Sequence, residues 1–250
     1  MAGSFASLQL VLLAAALGAL AVLYWRLERA SRKLREDLNW SRGVQIQIAW
    51  DAAKLRAMAP ADAVLPKPSD WSLTAEFMQI ALREVETRAP SLVVELGAGL
   101  STILLGYALK RRGHGRLVTI EHDRAFAERM RGYLRENDLL EVVDLRVAPL
   151  IDAPDGQPAP VWYDRAVFDD VQAIDLLIVD GPPMPVHAQV RAPALPVLLP
   201  RMAHGWLMLV DDTGRAGEQT ILAQWRAAYP TLRFEDLPLE KGAVRITAGE

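Results

Sequence analysis

Three aspartates carry the pattern most able to do chemistry. Asp180 follows the run I-D-L-L-I-V, and Asp211 and Asp212 follow L-M-L-V. Short apolar runs of this kind read as buried strands, so acids that end two of them gather at one edge of a sheet. Carboxylates held that close repel one another unless something cationic joins them. Oxygen ligands suit Mg²⁺, Mn²⁺ or Ca²⁺ rather than zinc, and Asp180, Asp211 and Asp212 form the candidate metal set. A metal holding a hydroxyl lowers its pKa and fixes its position, which prepares an oxygen nucleophile. The alternative is that Asp180 bonds the turn Gly181-Pro182-Pro183 while Asp212 caps the next helix. His187 and Arg191 come next, at i and i+4 of an expected helix. His187 could act as a base and Arg191 could clamp a carboxylate or phosphate; a solvated helix face is the plain alternative.

A second constellation binds rather than reacts. In V-V-E-L-G-A-G-L-S-T, residues 93–102, an apolar run ends in Glu95 and a glycine turn succeeds it, then the apolar stretch ILLGYAL. V-T-I-E-H-D lies about 20 residues later and ends its apolar run in Glu121, the spacing at which an acid meets a ribose in nucleotide-binding folds. The pattern suits a ligand with a ribose and a charged tail, which means an adenosine-type cofactor.

The elements that must position these residues alternate. Strands are expected near 92–96, 116–121, 142–147, 174–179 and 205–210, with helices near 101–111, 124–136, 187–199 and 216–228. A further helix covers about 72–88. LRFEDL (232–237) and AVRITA (243–248) read as two terminal strands joined tightly around Lys241-Gly242. The fold class is α/β, a doubly wound, Rossmann-like sheet of seven strands. The loop 149–168, rich in Pro, Asp and aromatics, is long enough to be functional or mobile, and Trp162 and Tyr163 could form part of a lid.

Several classes are excluded. A chain of 250 residues with net charge −3 has no general electrostatic grip on nucleic acid. With no cysteine it has no disulfide, thiol nucleophile or thiolate metal site. There is no G-x-x-x-x-G-K-[ST] and no G-x-S-x-G, which argues against triphosphate hydrolysis and serine hydrolysis. Thr102 stands where a dinucleotide fingerprint needs glycine or alanine, which disfavours a nicotinamide oxidoreductase.

The string E-L-G-A-G-L-S-T resembles motif I of S-adenosylmethionine-dependent methyltransferases. The ordered series LPKPSDW, ELGAGLST, IEHD, VAPL, IDLLIVDGPP, VRAPALPVLLPRM and LMLVDD extends the likeness over residues 60–250. It is similar to a bacterial class I family that is frequently membrane-anchored. Two departures are Ala98, in place of a more usual serine, and APALP, which lacks an aromatic common in relatives. The resemblance implies S-adenosylmethionine as cofactor. Gly97, Gly99 and Ser101 would lie along its methionine part, with Glu95 receiving the amino group. Glu121 would accept the ribose hydroxyls, with His122 or Asp123 beside it, one of the two only capping the next helix. Ala148 would lie against the adenine, and Asp180 would reach both cofactor and acceptor. Trp71 could stack on cofactor or sugar, or simply anchor a domain edge. The acids at the two strand ends are similar to those of metal-dependent O-methyltransferases such as catechol O-methyltransferase, and oxygen is the expected acceptor; Asp180, with His187 from its place in the expected helix, is the catalytic candidate.

The N-terminus reads separately. Leu8–Trp25 holds no charged residue, about the shortest run that spans a bilayer. Tyr24 and Trp25 fit an interfacial belt, and Arg26, Arg29, Arg32, Lys33 and Arg35 place the chain after residue 25 in the cytoplasm. A cleaved signal peptide is the rival reading, although no basic n-region precedes the run. The expected organisation is a single-pass transmembrane anchor (1–25), a helical stalk (26–59) and a methyltransferase domain (60–250). The stalk could pack on the domain or pair with a second copy as a homodimer. The expected partners are the inner membrane and a small-molecule, sugar or lipid-linked acceptor. A non-catalytic, membrane-anchored binding module on the same fold is the second reading.

Overall fold

The computed structural model describes residues 2–67, 73–152, 159, 161–184 and 186–249. It divides into two compact units, Met1–Trp50 and Asp51–Glu250.

The first unit is one helix. Helix α1 (Ala2–Ala57) has no proline, passes Gly43 without a break, and gives its last turns to the second unit. Along the expected stalk Leu34 and Leu38 are exposed, as are Leu20, Leu23 and Trp25 before it. The Arg29 guanidinium lies over the Trp25 ring at 5.4 Å, a cation–π contact within the helix. Among the described residues, no helix is long and apolar enough to cross a membrane. The side chains of residues 1–16 and 19, most of the expected anchor, lie outside them.

The second unit is the α/β domain. Helix α2 (Ala75–Arg88) starts where Thr74 Oγ1 accepts from Phe77 N. Then come β1 (Leu92–Leu96), α3 (Leu100–Arg112), β2 (Arg116–Glu121), α4 (Arg124–Glu136) and β3 (Val143–Val147). A small hairpin, β4 (Leu150–Asp152) with β5 (Val161–Tyr163), precedes β6 (Ile174–Val179). The chain closes with α5 (Ala194–Leu198), β7 (Met202–Asp211), α6 (Ala216–Ala228), β8 (Leu232–Leu237) and β9 (Ala243–Ala248).

The seven-stranded sheet has the order β3-β2-β1-β6-β7-β9-β8. The strands from β3 across to β7 run parallel, and β9 alone runs against its neighbours. Every residue of β1 is buried, as a central parallel strand covered on both faces requires. One apolar cluster joins α2 and α3 to one face through Phe77, Met78, Ile103 and Leu105. The other joins α6 and the β4–β5 hairpin to the opposite face through Trp162, Phe168, Leu222 and Trp225. The strand order reverses between β1 and β6, which opens a crevice at the carboxyl ends there.

Two expectations are corrected. The helix expected over 187–199 is a run of turns, with α-helix only at Ala194–Leu198. Pro193 lacks a backbone donor and disfavours the helical region for Ala192, so α5 starts only after it, whereas Pro196 and Pro200 are accommodated within α5 and the 3-10 turn that follows. His187 and Arg191 therefore share no helix face. The loop 149–168 is no simple lid either: Trp162 and Tyr163 form part of β5 and are buried in the core.

Candidate active site

A cavity of about 380 Å³ opens at the carboxyl ends of β1, β2, β6 and β7, at the low end of ligand-pocket volumes. Gly97, Gly99, Ser101, Glu121, His122, Asp180, Asp211 and Asp212 all line it, so the two constellations form one site.

The β1 side is built from local bonds. Gly97 has φ +94, and a Cβ there would meet Gly181 N at 3.1 Å. The turns after β1 and β6 thus touch backbone to backbone, which excludes side chains from both. Gly99 is extended, and a Cβ on it would find only Ser101 Oγ at 3.7 Å. Thr102, the residue that breaks a dinucleotide fingerprint, has a definite task. Its Oγ1 accepts from Gly99 N at 2.9 Å and donates to Glu95 Oε2 at 2.7 Å, joining the start of α3 to the end of β1.

Glu95 lies deeper than its expected role implies. It is fully buried, does not line the cavity, and its Oε2 also accepts from Thr119 Oγ1 at 2.8 Å. Burial pushes its pKa up to about 7, against the pull of neighbouring hydroxyls. Its other oxygen, Oε1, has no hydrogen-bond partner.

Glu121 closes β2 and is gripped by its surroundings. Oε2 accepts from Ala98 N at 3.2 Å, and Oε1 accepts from Asp123 N at 2.7 Å. His122 Nδ1 lies 2.8 Å from Oε1, and this hydrogen bond raises the imidazole pKa. Asp123 is the capping residue, since its Oδ1 accepts from Phe126 N at 2.9 Å. Ala148 is buried away from the cavity, and Phe126 on α4 supplies an apolar surface to the wall instead. Trp71 lies outside the described residues.

The β6 and β7 side is acidic, and a buried arginine joins it. Asp180, Asp211 and Asp212 each present an oxygen within 4.8 Å of the others. Arg191 Nη2 lies 3.2 Å from Asp180 Oδ1 and 3.3 Å from Asp212 Oδ2, while Nη1 lies 3.9 Å from Glu218 Oε1. The same guanidinium donates to the carbonyls of Asp180, Pro182 and Asp211. Arg215 adds a second cation, 2.8 Å from Asp212 Oδ2. Asp212 holds φ +61, a left-handed conformation uncommon outside glycine and concentrated at functional sites. The loop after β7 is tied to the β8–β9 turn by Gly214 N donating to Lys241 O at 2.9 Å, which brings Lys241 to the wall.

Arg191 is a residue whose part only the fold reveals: it is an internal counter-ion. His187 does not line the cavity, and its Nδ1 accepts from Gln189 N at 3.1 Å, which turns the ring into its own loop. Burial and the neighbouring Asp211 and Asp212 raise the Asp180 pKa well above the usual range, with Arg191 opposing them. Burial and Asp212 likewise raise Asp211, to about 6. Four acids (Asp180, Asp211, Asp212 and Glu218) meet Arg191 and Arg215, and Lys241 acts on Asp211 from the wall. The clustered carboxylate oxygens are of the kind that hold a divalent cation.

Residues 94–213 match the model of a methyltransferase-domain family. Solved structures share the fold. A methyltransferase from Geobacter sulfurreducens is 18% identical, covers 72% of this chain and 81% of its own, and has a TM-score of 0.55. The O-methyltransferase from Bacillus cereus, solved with SAH, is 17% identical, covers 82% and 99%, and has a TM-score of 0.57. The Streptomyces achromogenes O-methyltransferase of tomaymycin synthesis, solved with SAM, is 18% identical, covers 80% and 89%, and has a TM-score of 0.56. No curated protein matches the chain in sequence. The domain therefore has a methyltransferase fold, with its cavity at the sheet's switch point.

Proposed function

We propose that the chain is an S-adenosylmethionine-dependent methyltransferase acting on oxygen. One observation carries the reading: a single cavity joins the open Gly99 turn and Glu121 to the three aspartates. The residues fit the cofactor, since Gly99 leaves the turn open, Ser101 and His122 flank it, and Glu121 faces the cavity at the ribose position. The cofactor supplies a methyl group on a positively charged sulfur. The acids at the β6 and β7 ends favour that charge in the ground state and can hold an acceptor hydroxyl opposite it. Asp180, at the cavity wall, is the candidate base.

Asp180, Asp211 and Asp212 would also hold Mg²⁺ or Mn²⁺, which would supply positive charge that lowers the pKa of an acceptor hydroxyl. Mg²⁺ added to the full chain should raise its melting temperature, and Asp211→Asn should abolish the rise. An equal rise in both proteins, or none in either, removes the metal.

The proposal extends to the membrane. The charge-free run Leu8–Trp25 and the basic residues after it support an anchor with the catalytic domain on the cytoplasmic face. An acceptor delivered there is a sugar or lipid-linked molecule. Calorimetry with S-adenosylhomocysteine tests the cofactor, for which micromolar affinity is expected and no detectable heat ends the reading. Methyl incorporation into lipid-linked glycans, compared between cells with and without the chain, tests the acceptor. Identical profiles remove that class.

A further inference from the structure

Tyr163 belongs to the cavity wall and has no role in the proposed methyl transfer. It ends β5, where backbone pairing with Leu150 fixes it, and its ring meets Trp162 edge-on with centroids 5.5 Å apart. The residue is 1% exposed. Its hydroxyl has no hydrogen-bond partner. An unpaired buried hydroxyl costs about 1–3 kcal/mol. A fold that keeps one at a cavity has a donor ready for a ligand.

The position narrows which ligand atom that is. A Cβ added to Gly181 would stand 2.6 Å from the Tyr163 hydroxyl and 2.8 Å from Gly97 Cα. The hydroxyl thus lies where the turns after β1 and β6 touch. Glu121, which marks the ribose, ends β2, on the far side of β1 from β6. The Gly97–Gly181 contact therefore belongs to the amino-acid end of an adenosylmethionine laid across the strand ends. Glu121, Asp180 and Glu95 act on the phenol and Arg191 opposes them, yet none of the three acids accepts from Tyr163. Burial and those acids keep the phenol protonated, so it is a neutral donor beside them. A ligand carboxylate there would gain the hydrogen bond that the protein leaves unmade.

We infer that the Tyr163 hydroxyl donates a hydrogen bond to the carboxylate of the cofactor's methionine portion, selecting ligands with a complete amino-acid tail. The inference rests on the S-adenosylmethionine reading.

Calorimetry on the full chain in detergent, wild type and Tyr163→Phe, with S-adenosylhomocysteine and its decarboxylated analogue, tests it. The variant should bind S-adenosylhomocysteine roughly tenfold more weakly and bind the decarboxylated analogue with wild-type affinity. Its ligand-free melting temperature should equal or exceed that of wild type, because the change deletes an unpaired buried hydroxyl. Equal binding of S-adenosylhomocysteine by both proteins overturns the inference. So does equal weakening for both ligands, and so does a lowered ligand-free melting temperature. A wild type that binds neither ligand ends the cofactor reading and this inference with it, whereas a binding wild type with an indifferent variant ends this inference alone.

Discussion

The two halves of the cavity satisfy their charges in different ways. On the β1–β2 side, the acids are met by neutral donors: Thr102 and Thr119 hydroxyls on Glu95, and the Ala98 and Asp123 amides on Glu121. On the β6–β7 side, Arg191 reaches Asp180 across 11 residues and Asp212 across 21, and meets Glu218 on α6. The first half is a bend held by hydrogen bonds from neutral donors. The second is a buried charge cluster whose parts arrive from four segments. A local motif can be damaged bond by bond, whereas a buried ionic cluster fails together when its one central cation goes.

Arg191→Met should break this contrast most severely. It leaves Asp180, Asp212 and Glu218 buried without their shared guanidinium, at a cost of about 3–5 kcal/mol. Urea unfolding should show it, and the double variant Arg191→Met, Glu218→Gln should recover part of the loss. A single variant as stable as wild type would show that the cluster is not held by its arginine.

The next effect depends on pH. Glu95 ionises near 4.5 when unfolded and near 7 when folded, so between these values the folded state holds the extra proton. Stability then falls as pH rises through that window, by roughly 3 kcal/mol for a shift of this size. Glu95→Gln keeps an acceptor for Thr102 and Thr119 and should flatten the slope. An unchanged profile would move the raised pKa to another group.

Glu121→Ala should weaken S-adenosylhomocysteine binding by about 30-fold, near 2 kcal/mol, with a smaller change in stability. Unchanged affinity would take the ribose away from β2. The smallest effect is expected from Thr102→Val, which removes the link between Gly99 and Glu95 for about 1 kcal/mol of stability. A far larger loss would mean that the bend is less self-sufficient than its bonds suggest.

Much of this was legible in the chain. The bounds of β1, β2, β6, α4, α6, β8 and β9 derive from apolar periodicity and from Gly, Asp and Pro at element ends. Gly97, Gly99, Glu121 and the three aspartates stand at strand ends, and strand ends in one parallel sheet share an edge. Other features did not show. The segment 187–199, expected to be a helix, is mostly turns, so Arg191, read as a clamp for a ligand anion or as part of a solvated face, proves to be a buried counter-ion. The β4–β5 hairpin has three residues per strand, too short for a periodic signal, and Tyr163 was hidden within a loop. Ala148 and His187 sat beside the right motifs and are not among the residues that line the cavity.

The order of residues alone determined the α/β class, the glycine bend and the acids that close each central strand, because each depends on neighbours within a few positions. Only tertiary structure decided which cation meets those acids, how deeply Glu95 is buried and where the Tyr163 hydroxyl lies. Burial and charge pairing depend on distance through space, and the sheet brings together segments that the chain keeps far apart.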